Sequence, residues 1–165
     1  MELFNKSKIE KDIKELPSGI LTILLEAAIS VNINSIAIVG GIVRDLITKS
    51  KNKDYEITFN DLDLIIEGDA INYVTELKKI LGPNKVKVIR NNPIYKTSEI
   101  TLNGIKVDIA SAREETYPIP GENPIIELST IKNDLIRRDF NINAMAIELK
   151  ENKLIDLFSG LDAIS

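Results

Sequence analysis

The amino-acid sequence predicts a mixed α/β (α+β) domain with a central sheet and helices mainly on one face. Short apolar segments bounded by turn residues have the pattern of strands, and they alternate with longer stretches of helical periodicity. Of the 165 residues, 44% are hydrophobic and 28% are charged, a composition typical of a globular chain that folds without cross-links. We expect helices at residues 1–34 and one main domain at residues 35–165.

The first half of the chain alternates helices and buried strands. Residues 8–16 are amphipathic and end before Pro17, and Ser18 is placed to cap a second helix that runs to about Val31. The other elements predicted here are a strand at 35–39, a helix at 42–48, a polar connection at 54–60, a strand at 62–66 and a helix at 69–81. Gly82-Pro83 is the stop signal of that last helix.

The second half is richer in strands. A strand at 85–89 is followed by a hairpin of residues 95–102 and 105–110, because Asn103-Gly104 favours a tight turn. Residues 114–124 contain three prolines and a glycine, which predicts a mobile loop. A helix at 129–138, opened by Ser129 or Thr130, precedes strands at 144–149 and 154–158.

Composition excludes several kinds of chemistry. The chain has no cysteine and no histidine, so disulfides, thiolate nucleophiles, imidazole acid–base groups and imidazole metal ligands are absent. Any metal must be held by oxygen atoms, which favours Mg²⁺, Mn²⁺ or Ca²⁺. A net charge of −4 argues against a broadly basic nucleic-acid surface. With no membrane span and no signal-peptide pattern, we expect a cytoplasmic protein, or one in the stroma of an organelle given the abundance of Lys, Ile and Asn.

Three carboxylates are candidate metal ligands. Asp61 and Asp63 are two residues apart at the start of a predicted strand, so both point to one face. Asp108 lies on another strand, between the apolar residues Val107 and Ile109. If the two strands are neighbours, the three carboxylates share a surface and form a ligand set for two Mg²⁺ ions. The alternative is that they are solvated residues of exposed strand faces.

Two further segments are candidate phosphate sites. Gly40-Gly41 separates a strand from a helix that carries Arg44 in its first turn, an arrangement that suits phosphate binding or is a simple capping turn. Arg137, Arg138, Asp139 and Asn143 offer contacts to anions and hydroxyls, although adjacent arginines also complement a helix dipole. Four of the five arginines, at positions 44, 113, 137 and 138, lie in segments that contain candidate site residues. The fifth, Arg90, does not.

Four segments in this order resemble the head domain of class II tRNA nucleotidyltransferases. The segments are IVGGIVRD (38–45), DLDLIIEGDA (61–70), AREETYP (112–118) and LIRRDFNINAMA (135–146). The family includes CCA-adding, CC-adding and A-adding enzymes and bacterial poly(A) polymerases, and the resemblance runs from about residue 35 to residue 162. EGDA (67–70) resembles the cyanobacterial and A-adding-like branch.

The resemblance implies a nucleotidyltransferase-type fold and a set of residue roles. Asp61, Asp63 and Asp108 match the catalytic, metal-binding carboxylates of a two-ion Mg²⁺ site, with Mn²⁺ as the other ion that suits it. The residues matched to nucleotide binding are Gly40, Gly41, Arg44, Arg137, Arg138, Asp139 and Asn143. The implied reaction is template-independent transfer from CTP or ATP to an RNA 3′-hydroxyl at a tRNA 3′ end. One ion would activate the hydroxyl and the other would hold the triphosphate.

The chain departs from the family in three respects. Glu114 and Asn141 replace a frequent arginine and the usual threonine, and Glu114 adds negative charge beside the expected nucleotide path. The neck, body and tail domains, which select the base and grip the tRNA, are not matched, so we expect them in a further segment or in a separate chain that acts as a partner. The alternatives are RNA adenylyl transfer of the poly(A) polymerase type, a head that only binds nucleotides, and a small-molecule nucleotidyltransferase of the aminoglycoside type.

Overall fold

The order of helices and strands follows the sequence prediction over most of the chain. The computed structural model describes residues 11–13, 16, 19–138 and 143–164. The helices are α1 (Ile20–Ser30), α2 (Gly41–Lys51), α3 (Ala70–Leu81), α4 (Ile131–Ile136) and α5 (Gly160–Ala163). The strands are β1 (Ile36–Val39), β2 (Asp61–Ile66), β3 (Val86–Asn92), β4 (Thr97–Leu102), β5 (Ile105–Ser111), β6 (Arg113–Thr116), β7 (Ile125–Leu128), β8 (Met145–Glu148) and β9 (Lys153–Asp156). Ser18 and most of the helix predicted at 8–16 lie outside the described residues.

Helix and hairpin ends are explained by local chemistry. The Asp69 carboxylate caps α3 by accepting hydrogen bonds from the backbone N–H groups of Ile71 and Asn72, both at 3.0 Å. Asn103 and Gly104 both have positive φ, of 50° and 81°, as the predicted tight turn between β4 and β5 requires. The predicted start of a helix at residue 69 and the predicted tight turn are therefore confirmed.

Seven strands form the main sheet, in the order β3-β4-β5-β2-β1-β8-β9. Strands β2 and β5 are parallel, with Asp63 opposite Asp108, and the other neighbouring pairs are antiparallel. The two strands that carry the candidate carboxylates are therefore neighbours, as a shared carboxylate surface requires. Their position in the strand order places the carboxylates near the centre of the sheet.

The two faces of the sheet differ in cover. Helices α1, α2 and α3 pack on one face against buried residues such as Ile38, Leu64 and Ile109, and the Tyr73 hydroxyl of α3 donates a 2.7 Å hydrogen bond to the backbone oxygen of Leu24 in α1. On the other face, α4 covers a smaller cluster around Ile65. The rest of that second face carries polar side chains and is called the open face below. The predicted fold class, with helices mainly on one face, is confirmed.

The loop predicted at residues 114–124 is only partly correct. Residues 113–116 form β6, which pairs with β7 in a separate two-stranded sheet. The three prolines lie between these strands or directly before β7, so they interrupt the backbone without preventing the pairing on either side. The predicted helix at 129–138 is also shorter, since α4 spans Ile131–Ile136 and begins after Thr130, whose hydroxyl accepts from the Asn133 N–H at 3.2 Å.

Within the described ranges, no helix has both the length and the apolar character needed to cross a bilayer. The longest of these described helices, α3, has 12 residues.

Candidate functional site

The carboxylates of β2 and β5 lie side by side on the open face. Asp63 and Asp108 are directly opposite each other on parallel neighbouring strands, and Asp61 precedes Asp63 by one full pleat on the same face. Asp63 and Asp108 line a cleft of about 410 Å³, whereas Asp61 and Asp63 line an adjoining cavity of about 180 Å³. Asp63 therefore borders both cavities.

The electrostatics of this group favour a cation. Burial raises the pKa of Asp63, and the negative charges of Asp108 and Asp61 raise it further, while Lys106 and Arg138 oppose the shift. Carboxylate oxygens are the donors that Mg²⁺ and Mn²⁺ prefer, so the donor chemistry suits such an ion.

The carboxylate oxygens of these residues are not grouped closely enough to surround a metal ion. Among the described residues, no three acidic side chains are grouped so that they could hold a metal ion. Asp108 instead contacts the ammonium group of Lys106, with 3.5 Å between Nζ and Oδ2. Metal binding would therefore require Asp108 to exchange Lys106 for the ion.

The glycine turn lies directly against Asp63. Gly40 follows β1 with φ 77° and ψ −148°, and a Cβ built there would lie 2.7 Å from Asp63 Oδ2. Gly41 begins α2, where a Cβ would meet only Arg44 Nη2 at 3.6 Å. Arg44 borders the smaller cavity and donates to Asp45 from Nε and Nη2, at 3.2 and 3.1 Å. The absence of a side chain at Gly40 is what allows the carboxylate to pack on the turn.

A buried carboxylate that the sequence analysis missed holds both arginines of the second segment. Asp134 is 1% exposed, and its Oδ1 accepts from Arg137 Nη2 at 2.8 Å while its Oδ2 accepts from Arg138 Nε at 3.0 Å. Oδ1 also accepts the backbone N–H of Arg113 at 3.1 Å, which ties α4 to β6. The signal was present, because Asp134 precedes the arginines by three and four residues on a helix.

The structure brings most of the predicted site residues together, but not all of them. The predicted site residues that border one or both of the cavities around Asp63 are Gly40, Gly41, Arg44, Asp61, Asp63, Asp108 and Arg138. Arg137 instead donates to Glu115 and Asp134 and lines a separate cavity of about 340 Å³. Asn143 is exposed and borders none of these three cavities, while Asp139 and Asn141 lie outside the described residues.

Glu114 does not border either of the two cavities around Asp63. Its carboxylate accepts hydrogen bonds from Asn133 Nδ2 at 2.8 Å and Ser129 Oγ at 3.1 Å, and it borders the same separate cavity as Arg137. Glu114 thus connects β6 to the start of α4. Its carboxylate lies at that separate cavity, and no residue of β6 lines the cleft.

Comparison with known proteins gives a consistent result. Residues 36–165 match the family model described as the poly A polymerase head domain. An A-adding tRNA nucleotidyltransferase of Aquifex aeolicus is 40% identical over 127 residues, which are 75% of this chain and 14% of that protein. The chain thus spans a small fraction of this relative's length.

Solved structures agree with the sequence matches. A CCA-adding enzyme in an apo form superposes with a TM-score of 0.75 at 35% identity, over 96% of this chain and 36% of the other. A tRNA nucleotidyltransferase complexed with a primer tRNA and an incoming ATP analogue gives a TM-score of 0.63 at 33% identity, over 86% of this chain and 36% of the other.

Proposed function

Because this chain belongs to the poly A polymerase head domain family, we propose that it is the catalytic head of a tRNA nucleotidyltransferase. Its reaction is template-independent transfer of a nucleotide from ATP or CTP to the 3′-hydroxyl of a tRNA. The observation that carries the proposal is the placement of Asp63 and Asp108 on adjacent strands, beside a glycine turn and an arginine. Base selection and the grip on the tRNA body are assigned to segments beyond this head or to a separate chain.

The residues of the open face have distinct proposed roles. The backbone at Gly40 and Gly41 and the start of α2 receive the triphosphate, because exposed N–H groups and the helix dipole favour a phosphate there. Arg44 and Arg138 add positive charge on either side of Asp63. Asp134 restrains Arg138, so that its guanidinium is already in place when the nucleotide enters.

The three carboxylates are the proposed ligands of Mg²⁺ or Mn²⁺. The ion would neutralise charge on the triphosphate and stabilise the negative charge that develops on the attacking oxygen. The carboxylates themselves orient the acceptor hydroxyl toward the α-phosphate. As the hydroxyl loses its proton to solvent, its oxygen forms a new P–O bond there, and the bond to the β-phosphate breaks to release pyrophosphate.

Calorimetric titration with ATP and with CTP, each with and without Mg²⁺, tests the proposal. The Asp61→Ala/Asp63→Ala double variant is compared with Asp54→Ala/Asp162→Ala, which removes two exposed carboxylates away from the cavities. We expect Mg²⁺-dependent binding by the wild type and the control and its loss in the first variant. Equal binding by both variants would refute a nucleotide site at these carboxylates.

Transfer of labelled nucleotide to tRNA and to oligo(A) identifies the acceptor. Preference for a tRNA that lacks its 3′-terminal nucleotides supports tRNA repair, whereas preference for oligo(A) supports the poly(A) polymerase alternative. Nucleotide binding without transfer to either acceptor would support the alternative that the head only binds nucleotides.

A further inference from the structure

The fifth arginine, Arg90, belongs to the same face as the proposed catalytic carboxylates. Four successive strand pairings align one residue from each of five strands in a single row across the open face. The row is Val39, Asp63, Asp108, Glu99 and Arg90. Arg90 also borders the 410 Å³ cleft together with Asp63 and Arg138. Two interstrand spacings, about 10 Å, separate the backbones of Asp108 and Arg90.

A β-bulge places Arg90 on this face. Val88 pairs with Ile100, and the next paired residue of β3 is Arg90, opposite Glu99, so Ile89 is an extra residue in the strand. Ile100 is fully buried on the helix-covered face, whereas Glu99 lies on the open face opposite Asp108. Without the bulge, side-chain alternation would place residue 90 on the helix side. Bulges next to active sites commonly redirect a side chain in this way.

The contacts of Arg90 leave it available for a ligand. Its Nη2 donates to Glu99 Oε2 at 3.3 Å, and within the described segments this is its one ion pair. The Arg90 side chain is 77% exposed, compared with 24% for Arg138, which is held by Asp134. Glu99 is also shared, because Lys106 Nζ lies 3.5 Å from its Oε1. A phosphate group can therefore engage the Arg90 guanidinium without breaking a buried contact.

We propose that Arg90 binds a backbone phosphate of the acceptor RNA near its 3′ end. The inference rests on the proposed function, in which two substrates meet at the carboxylates. The glycine turn and Arg44 receive the nucleotide on the β1 side of Asp63, so the acceptor strand approaches from the opposite side, over β5, β4 and β3. Arg90 is an exposed arginine on that side, and its planar fork suits a phosphodiester.

Fluorescence anisotropy with a labelled single-stranded RNA ending in CC tests this role. Arg90→Ala is compared with Lys87→Ala, which removes the same charge from the same face of β3 but does not border the cleft. Loss of a charge-assisted contact predicts about tenfold weaker RNA binding for Arg90→Ala. It also predicts a salt-dependence slope smaller by about 0.7. Lys87→Ala is expected to bind within about twofold of the wild type, since it removes no specific phosphate contact.

Two further variants sharpen the test. Arg90→Lys retains the charge and is expected to recover part of the affinity. Glu99→Gln removes the carboxylate that competes with phosphate for Arg90, and it should tighten RNA binding. ATP binding, measured by calorimetry, should not weaken in Arg90→Ala because Arg90 is on the acceptor side.

The outcomes separate this inference from the proposed function. Equal RNA affinity of Arg90→Ala and Lys87→Ala would overturn the inference, and so would a loss of ATP binding in Arg90→Ala, which would assign the residue to the incoming nucleotide. Absence of RNA binding in the wild type with intact ATP binding would also overturn it. Absence of Mg²⁺-dependent ATP binding in the wild type would instead count against the proposed function.

Discussion

Replacing Gly40 with alanine tests whether the glycine turn and the catalytic carboxylate depend on each other. Gly40 has φ 77° and ψ −148°, a backbone conformation that is essentially restricted to glycine. A Cβ at this position would also lie 2.7 Å from Asp63 Oδ2, closer than real Cβ contacts. The substitution therefore strains the backbone and displaces the carboxylate at the same time.

The expected loss of stability follows from the backbone strain. A residue held in such a conformation costs about 1–3 kcal/mol. Gly41→Ala is the matched control because its Cβ would meet only Arg44 Nη2 at an ordinary 3.6 Å. Gly41 is also the first residue of α2, where alanine is favoured over glycine by up to about 1 kcal/mol. The two neighbouring substitutions should therefore have opposite signs.

Urea denaturation followed by far-UV circular dichroism measures both effects. With similar m values, the difference in midpoints gives the change in the free energy of unfolding. Gly40→Ala should also lose Mg²⁺-dependent ATP binding, because Asp63 can no longer keep its position. If Gly40→Ala were as stable as Gly41→Ala and bound ATP normally, the argument that glycine is required by the contact with Asp63 would be wrong.

Three further predictions concern charged groups around the site. Asp134→Asn leaves the two arginines with a neutral partner, and we expect a loss of about 3 kcal/mol in urea denaturation; a loss below about 1 kcal/mol would contradict this. Burial raises the pKa of Asp63 above its usual value of 3.8. The contribution of this carboxyl group to the free energy of unfolding is therefore fully present below pH 3.8 and is lost as the pH rises through the raised pKa. Asp63→Asn should thus be more stable than the wild type at neutral pH, and the difference should shrink on acidification; a difference independent of pH would contradict it. Glu67 accepts the N–H of Ile131 at 2.9 Å, so Glu67→Ala should destabilise the chain by about 1–3 kcal/mol while Glu67→Gln retains most of the stability.

The sequence was sufficient wherever structure is determined by local chemistry. Two-residue alternation predicted that Asp61 and Asp63 share a face, and Asn103-Gly104 predicted the hairpin. Asp69 appears at the start of a predicted helix and does cap it. In each case the interacting groups are close in the chain, so the pattern of a few residues contains the information.

The sequence was insufficient where distant segments determine the result. The prediction that the three carboxylates share a surface depended on β2 and β5 being neighbours. Parallel neighbours are joined by a long connection that has no short sequence signal, so this pairing could not itself be predicted. Residues 113–116 pair with a strand on the far side of three prolines, and this pairing was missed. The bulge at Ile89 moves every later residue of β3 to the opposite face, so simple alternation places Arg90 on the wrong side.

The charges of the open face divide into restrained and unrestrained groups, and this division predicts how the two substrates of the proposed reaction affect each other's binding. Asp134 already balances Arg138, whereas Asp63 and Asp108 repel each other and Asp108 contacts Lys106. In the proposed function, a triphosphate bound with a divalent cation would relieve this repulsion, and Lys106 would then be released toward Glu99. Lys106 then competes with Arg90 for Glu99, which frees Arg90 for phosphate. Nucleotide binding should therefore strengthen RNA binding, and by thermodynamic linkage RNA should strengthen nucleotide binding by the same factor.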